Sequence, residues 1–121
     1  MSPLLLVGIG LVGGVGAIGR LLLDGAVAAR LSRAFPYGTL AVNLTGTLAL
    51  GVLVGAAVRG DALSLAGTGL LGAYTTFSTW TLESHRLAED GELRAGLINL
   101  TLSLTLGLGV AWLGHTIGAA L

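Results

Sequence analysis

The residues able to do chemistry in this 121-residue chain are polar and aromatic groups set inside apolar stretches. One stretch holds Arg20, and a second holds Asn43, Thr45 and Thr47. A third holds Thr75, Thr76, Ser78 and Thr79, and the last holds Asn99, Thr101, Ser103 and Thr105. A polar group surrounded by hydrocarbon must find a partner or line a wet path. Amides and hydroxyls are neutral, so they can hold a small ion by hydrogen bonds without titrating. Phe77 and Trp80 are three residues apart and share a helix face. An aromatic ring has an electropositive edge, so rings presented edge-on can replace part of an anion's hydration without adding a fixed charge. The competing reading of that pair is core packing or an interfacial aromatic belt.

The carboxylates lie elsewhere. Asp24, Asp61, Glu83, Glu89, Asp90 and Glu92 all fall between the apolar stretches or at their ends. Transporters driven by protons or cations need an acidic group at membrane depth. Its absence points to passive conduction, with neutral donors in place of a titrating group. His85 and His115 fall near the ends of apolar stretches and read as interfacial polar residues. With no cysteine there is no disulfide framework, thiolate metal site or thiol nucleophile. The six basic residues are all arginine, and they are dispersed, so no basic block suggests a nucleic-acid partner.

These side chains need elements to carry them, and the composition says what kind. Hydrophobic residues make up 54% of the chain and charged residues 10%, with a formal net charge of zero. Mean hydropathy is +0.91, too apolar for a water-soluble domain of this size. A bilayer core of about 30 Å needs roughly 20 apolar residues in helical form. Runs of that length cover about 3–23, 37–58, 63–82 and 94–120. The sequence therefore predicts one all-α integral membrane domain over 1–121, with four transmembrane helices and lipid as its solvent. The first run has no charged segment before it and is followed by three comparable ones, so it reads as a retained helix rather than a signal peptide. Pro36 suits the start of the second helix.

Among 21 glycines, Gly10 and Gly14, Gly51 and Gly55, and Gly114 and Gly118 are spaced to lie on one helix face. Such pairs let backbones approach closely in lipid and predict a compact, oligomeric bundle. Symmetric dimers are the commonest oligomers. The third run carries Gly67, Gly69 and Gly72 followed by the β-branched Thr75 and Thr76, which predicts a helix break at mid-membrane. Backbone freed at that depth must face protein, water or an ion. The alternative is a packing kink, with hydroxyls bonded to carbonyls one turn back.

Three stretches together resemble a known family. Gly13 to Arg20 is a glycine-rich run ending in arginine, Gly38 to Gly46 centres on Asn43, and Gly72 to Trp80 contains Thr75-Thr76-Phe77-Ser78-Thr79. In this order, each on its own helix, they are similar to the signatures of the Fluc, or CrcB, fluoride channels. The resemblance implies a fluoride-selective passive channel, not an enzyme, that exports fluoride across the cell membrane with no catalytic cycle and lowers the cytoplasmic concentration. It implies an antiparallel, dual-topology dimer with two pores and a structural sodium ion at the broken third helices. By position, main-chain carbonyls of Gly72 and Thr75 from both subunits would hold the sodium. Asn43 would donate its amide to fluoride, Phe77 and Trp80 would form the aromatic box, and Ser78 and Thr79 would extend the polar track. Arg20 corresponds to a vestibule arginine. Asn99 and Ser103 fall at positions where the family often has tyrosine and serine. Trp80 departs from the pattern, which has a second phenylalanine there.

The charge distribution departs too. Arg30, Arg33, Arg86 and Arg94 would lie on the side opposite the amino terminus, against only Arg59 on the same side. That bias favours both termini outside, whereas a dual-topology chain should show little. The second subunit is therefore either an inverted copy or an oppositely oriented homologue. Two other readings compete. A small multidrug-resistance exporter needs a glutamate in its first helix, and 3–23 has none. A non-transporting membrane subunit would leave Asn43, Phe77, Ser78 and Thr79 to packing alone.

Overall fold

The computed structural model describes residues 1–121 and is entirely helical. Helix α1 spans Pro3–Arg30 and α2 spans Tyr37–Gly55. The third run is divided into α3 (Gly60–Leu63), a π-helical stretch (Ser64–Leu71), α4 (Gly72–Tyr74) and α5 (Ser78–Glu89). Helix α6 spans Leu93–Ala119.

Several boundaries differ from those read in the sequence. The third run begins at Gly60 instead of 63, and α5 continues past 82 to Glu89, so Glu83 and Glu89 lie within a helix. Helix α1 continues to Arg30 instead of stopping near Leu23, because 24–30 is alanine-rich and contains no proline. Asp24 therefore lies within a helix rather than in a connecting segment. Helix α2 stops at Gly55, short of Val58. Ala57 turns left-handed at φ 59°. That places the Val58 N–H on the Leu53 carbonyl and the Ala57 N–H on the Val54 carbonyl, each at 3.0 Å. This closure satisfies carbonyls that a helix end leaves open.

Three helices, Pro3–Arg30, Tyr37–Gly55 and Leu93–Ala119, are long and apolar enough to cross a membrane. The third run falls outside that set because its helix is interrupted. Burial points to the same solvent. Val42 and Trp80 are the only buried hydrophobic side chains, while Leu4, Val7, Leu11, Val15 and Ile18 stand exposed along α1. In water such a surface would be untenable, and in a bilayer it costs nothing. The chain is an integral, multi-pass membrane protein.

With so little side-chain core, backbone proximity holds the bundle together. The most extensive contact is between α2 and α6. There a Cβ on Gly118 would land on the Val52 carbonyl, and one on Gly55 would land on the His115 carbonyl. Two of the three glycine pairs thus form one seam, as close-packed membrane helices require. Gly10 and Gly14 meet no other part of the chain. The π-helical stretch lies against α1, where a Cβ on Gly69 would sit 2.7 Å from Val12 and 3.1 Å from the Ile9 carbonyl. Helix α5 packs on α6.

Candidate functional site

The site grows from the interruption between α4 and α5. Thr75 is extended, at φ −80° and ψ 160°, and its hydroxyl donates back to the Leu71 carbonyl at 2.9 Å. The helix resumes at Ser78, and the Thr76 hydroxyl accepts the Thr79 N–H at 3.1 Å, as a capping residue does. Asn43 on α2 binds the gap from the side. Its Nδ2 donates to the Thr76 carbonyl, and its Oδ1 accepts the Thr76 N–H, both at 2.8 Å. One amide side chain therefore takes both backbone groups of the residue where the ladder is broken. Each unpaired group would cost several kcal/mol in hydrocarbon, by order of magnitude.

This engagement has a consequence one turn earlier. In an unbroken helix the Gly72 carbonyl would accept the Thr76 N–H, and the Thr75 carbonyl the Thr79 N–H. Both donors are used elsewhere, by Asn43 and by the Thr76 hydroxyl. The two carbonyls are left without their helical donors.

An open groove of about 300 Å3 runs beside the interruption, lined by Asn43, Thr47, Thr75, Phe77, Trp80 and Ser103 among others. Phe77 is 73% exposed, while Trp80 is only 9% exposed. Their rings meet edge to face, with centroids 5.2 Å apart and planes at 78°. Trp80 is fixed from behind. Its indole Nε1 donates to the Asn99 carbonyl at 3.3 Å. The Asn99 amide donates to the Ser84 hydroxyl at 2.8 Å, and that hydroxyl donates to the Trp80 carbonyl at 2.9 Å. Asn99 is 1% exposed and ties α6 to α5, whereas Ser103, one turn on, borders the groove. The tyrosine hydroxyl of Tyr74 is paired with the Thr45 hydroxyl at 2.8 Å.

A second cavity, of about 190 Å3, lies between α1, α2 and the start of α5. Arg20, Asp24, Thr39, Thr76 and Thr79 border it. The Arg20 Nε is buried with no hydrogen-bond partner. Thr76 borders both cavities. The residues read from the sequence are thus divided. Asn43, Gly72, Thr75, Phe77, Trp80 and Ser103 border the groove, Arg20 and Thr79 border the second cavity, and Ser78 borders neither. Ser78 is exposed, and its hydroxyl lies 3.4 Å from that of Thr76.

One polar pair escaped the sequence reading. The Thr39 hydroxyl, in a residue 3% exposed, is bonded to the Glu83 carboxylate at 2.5 Å. Glu83 comes one residue after the third apolar run, and its pKa is raised above the ordinary carboxylate value. Burial is the main cause and nearby Asp24 adds to it, while the Thr39 bond and Arg86 oppose. The signal available beforehand was a threonine beginning an otherwise apolar helix and the carboxylate nearest the broken segment. Nothing in sequence pairs residues 44 positions apart.

Comparison with known proteins gives concordant matches over nearly the whole chain. Residues 7–115 match the family model described as CrcB-like protein, Camphor Resistance (CrcB). The chain is 54% identical over 111 residues to a protein of Mycobacterium bovis named Fluoride-specific ion channel FluC 2, covering 92% of this chain and 88% of that one. It is 47% identical over 116 residues to Fluoride-specific ion channel FluC 1 of Symbiobacterium thermophilum, covering 91% and 94%. It is 43% identical over 111 residues to Fluoride-specific ion channel FluC of Geobacter sulfurreducens, covering 88% and 90%.

Proposed function

Since the chain belongs to the CrcB family, whose curated relatives are named fluoride-specific ion channels, we propose that it is itself a fluoride channel of the cell membrane. The structural observation that carries this reading is the Asn43 clamp on a helix interruption beside a groove bordered by hydroxyls and an aromatic edge. The direction of physiological flow is export, lowering the cytoplasmic concentration.

Fluoride is small and strongly hydrated, so a selective path must replace much of its water shell with donors at close quarters. Asn43 offers the second N–H of its amide once the first is bound to Thr76. Phe77 offers a ring edge, held at its angle by Trp80 and, through Trp80, by Asn99 and Ser84. Ser103 adds a hydroxyl along the groove, and in the second cavity Thr79 adds a hydroxyl and Arg20 a guanidinium. Ser78, exposed at the head of α5, would extend the polar track in the assembled protein. Neutral donors bind a small anion firmly enough to admit it and loosely enough to release it, while a larger halide fits fewer of them.

The assembly we propose is an antiparallel dimer of dual topology, made with an inverted copy or an oppositely oriented homologue, and the interruption lies at mid-membrane. The open groove supports this, because one protomer does not close it. The exposure of Phe77 supports it too. The carbonyls of Gly72 and Thr75, which lack their helical donors, fit a hard cation that takes oxygen ligands. From two subunits they would hold a structural sodium ion, which supplies fixed positive charge and locks the interruption.

The test is fluoride release from liposomes containing the purified protein, read with a fluoride electrode and repeated with chloride. Rapid fluoride release with little chloride release, lost in Asn43→Ala and Phe77→Ile, is the expected result. Absence of release from folded dimer, alone and after co-reconstitution with a second homologue, would overturn the reading.

A further inference from the structure

Asp24 is a carboxylate that the proposed conduction mechanism does not use. It sits on α1 one turn after Arg20, where α1 and α2 approach so closely that a Cβ on Gly38 would overlap the Asp24 carboxylate and lie 2.7 Å from its carbonyl. Glycine at 38 is what lets the acid face the α1–α2 crossing. Asp24 borders two cavities. One is the 190 Å3 chamber with Arg20, Thr39 and Thr79. The other, about 150 Å3, has Ser32, Arg33, Gly38 and Glu83 on its wall. No side chain donates a hydrogen bond to Asp24, and the single ion pair in the chain joins His85 and Glu89. Arg20, the nearest cation on its own helix, is not within pairing distance, and its buried Nε has no partner.

We infer that Asp24 sets the rate of anion entry into the chamber of Arg20, Thr39 and Thr79, acting as a fixed negative charge shared by that chamber and the adjoining cavity. The inference rests on the fluoride-channel reading. Asp24 is the residue common to the linings of both cavities, with Arg20 and Thr39 in one and Glu83 in the other, so an anion in the chamber gains the full attraction of Arg20 only in so far as Asp24 does not offset it. Charges bordering a confined, partly desolvated space act more strongly than on an open surface. The charged groups facing Asp24 are Arg20 on α1, Arg33 on the following connection, and Glu83 on α5 with Arg86 acting on it. Burial raises the Glu83 pKa and Asp24 adds to it, against the Thr39 bond and Arg86.

The experiment pairs a rate with a titration. Initial fluoride efflux from liposomes is measured for wild type, Asp24→Asn and Asp24→Glu at neutral pH. In parallel, the Glu83 carboxyl band is titrated by infrared difference spectroscopy in detergent, with Glu83→Gln identifying the band. Asp24→Asn is expected to raise efflux about fivefold, on the scale of one unit charge in a partly wet cavity, and to lower the Glu83 titration midpoint. Asp24→Glu keeps the charge and is expected to leave both near wild type. Wild-type efflux and an unmoved midpoint in Asp24→Asn would overturn the inference, as would slower efflux from a folded variant. If the wild type releases no fluoride, the channel reading fails and the entry role fails with it, and the titration alone then decides whether Asp24 acts on Glu83. If Asp24→Asn does not fold, Asp24→Ser replaces it in both measurements with the same expected directions.

Discussion

Asn43 and Thr76 are joined twice, amide to carbonyl and N–H to amide oxygen, each at 2.8 Å, across the point where the third helix is interrupted. An asparagine can do this because its side chain carries a donor and an acceptor side by side, the same pattern a peptide presents. The clamp couples α2 to the interruption, so the residue offered to the ion also holds the backbone that shapes the groove.

Asn43→Ala is expected to remove both bonds and leave two backbone groups unpaired, lowering stability by about 2–4 kcal/mol. Asn43→Asp keeps the acceptor for the Thr76 N–H but turns its other oxygen on the Thr76 carbonyl. Both variants should lose at least about tenfold in fluoride efflux, roughly the rate equivalent of 1.4 kcal/mol. Thermal unfolding in detergent, read beside the liposome assay, checks the two effects together. Asn43→Ala with wild-type stability would mean that the clamp is not structural.

Trp80→Phe separates the ring from its hydrogen bond. The indole bond to the Asn99 carbonyl is long, at 3.3 Å, so its loss should cost about 0.5–1 kcal/mol while the edge-to-face contact with Phe77 survives. Conduction should persist. Trp80→Ala removes the support of Phe77 as well, and should lower stability by about 3–5 kcal/mol and abolish efflux. The comparison of the two efflux rates measures what the ring does apart from its N–H.

The α2–α6 seam makes a sharp steric prediction. Gly118→Val puts a branched side chain where a single Cβ already meets the Val52 carbonyl, and should prevent recovery of folded protein by size-exclusion chromatography. Gly25→Ala, at a position with open space around it, should be neutral or slightly stabilising.

Stability should depend on pH through Glu83. Its pKa in the folded chain is raised, chiefly by burial, so the folded state holds the proton more tightly than the unfolded state does. The stabilising contribution is present below the ordinary carboxylate value of 4.5 and is lost as pH rises through the higher folded value. Glu83→Gln, which keeps the shape and remains neutral, should flatten that dependence and melt above wild type at neutral pH. A wild-type melting temperature that falls on acidification through this window, and equally so in Glu83→Gln, would contradict the assignment.

Ala57 closes α2 in a left-handed conformation, at φ 59°, which suits glycine far better. Ala57→Gly is expected to stabilise the chain by about 1 kcal/mol without changing fluoride efflux, as a shift in the thermal transition would show.

What the sequence determined by itself were properties carried by local pattern. Lipid as solvent follows from apolar runs long enough to span it, because backbone polarity leaves only closed helical segments as a solution there. Glycines and paired threonines near Thr75 marked an irregular helix and left a break and a packing kink both open, whereas Gly51, Gly55, Gly114 and Gly118 announced a close seam by their spacing. Asn43, Phe77 and Trp80 were legible because polar and aromatic groups in apolar runs are few. The tertiary structure alone decided which of them meet. Asn43 and Thr76 are 33 positions apart, and Thr39 and Glu83 are 44 apart. Asn99 and Ser103 share a helix face in sequence, yet one is buried in a bond to Ser84 and the other borders the groove. Asp24 looked like part of a connection until α1 carried it onward against Gly38. Periodicity fixes which side of a helix a residue occupies, but the partner on that side is set by how helices cross. Those crossings are fixed by backbone proximity at the Gly118–Val52 seam and by a side-chain amide on backbone at the Asn43–Thr76 clamp, between residues that no local pattern relates.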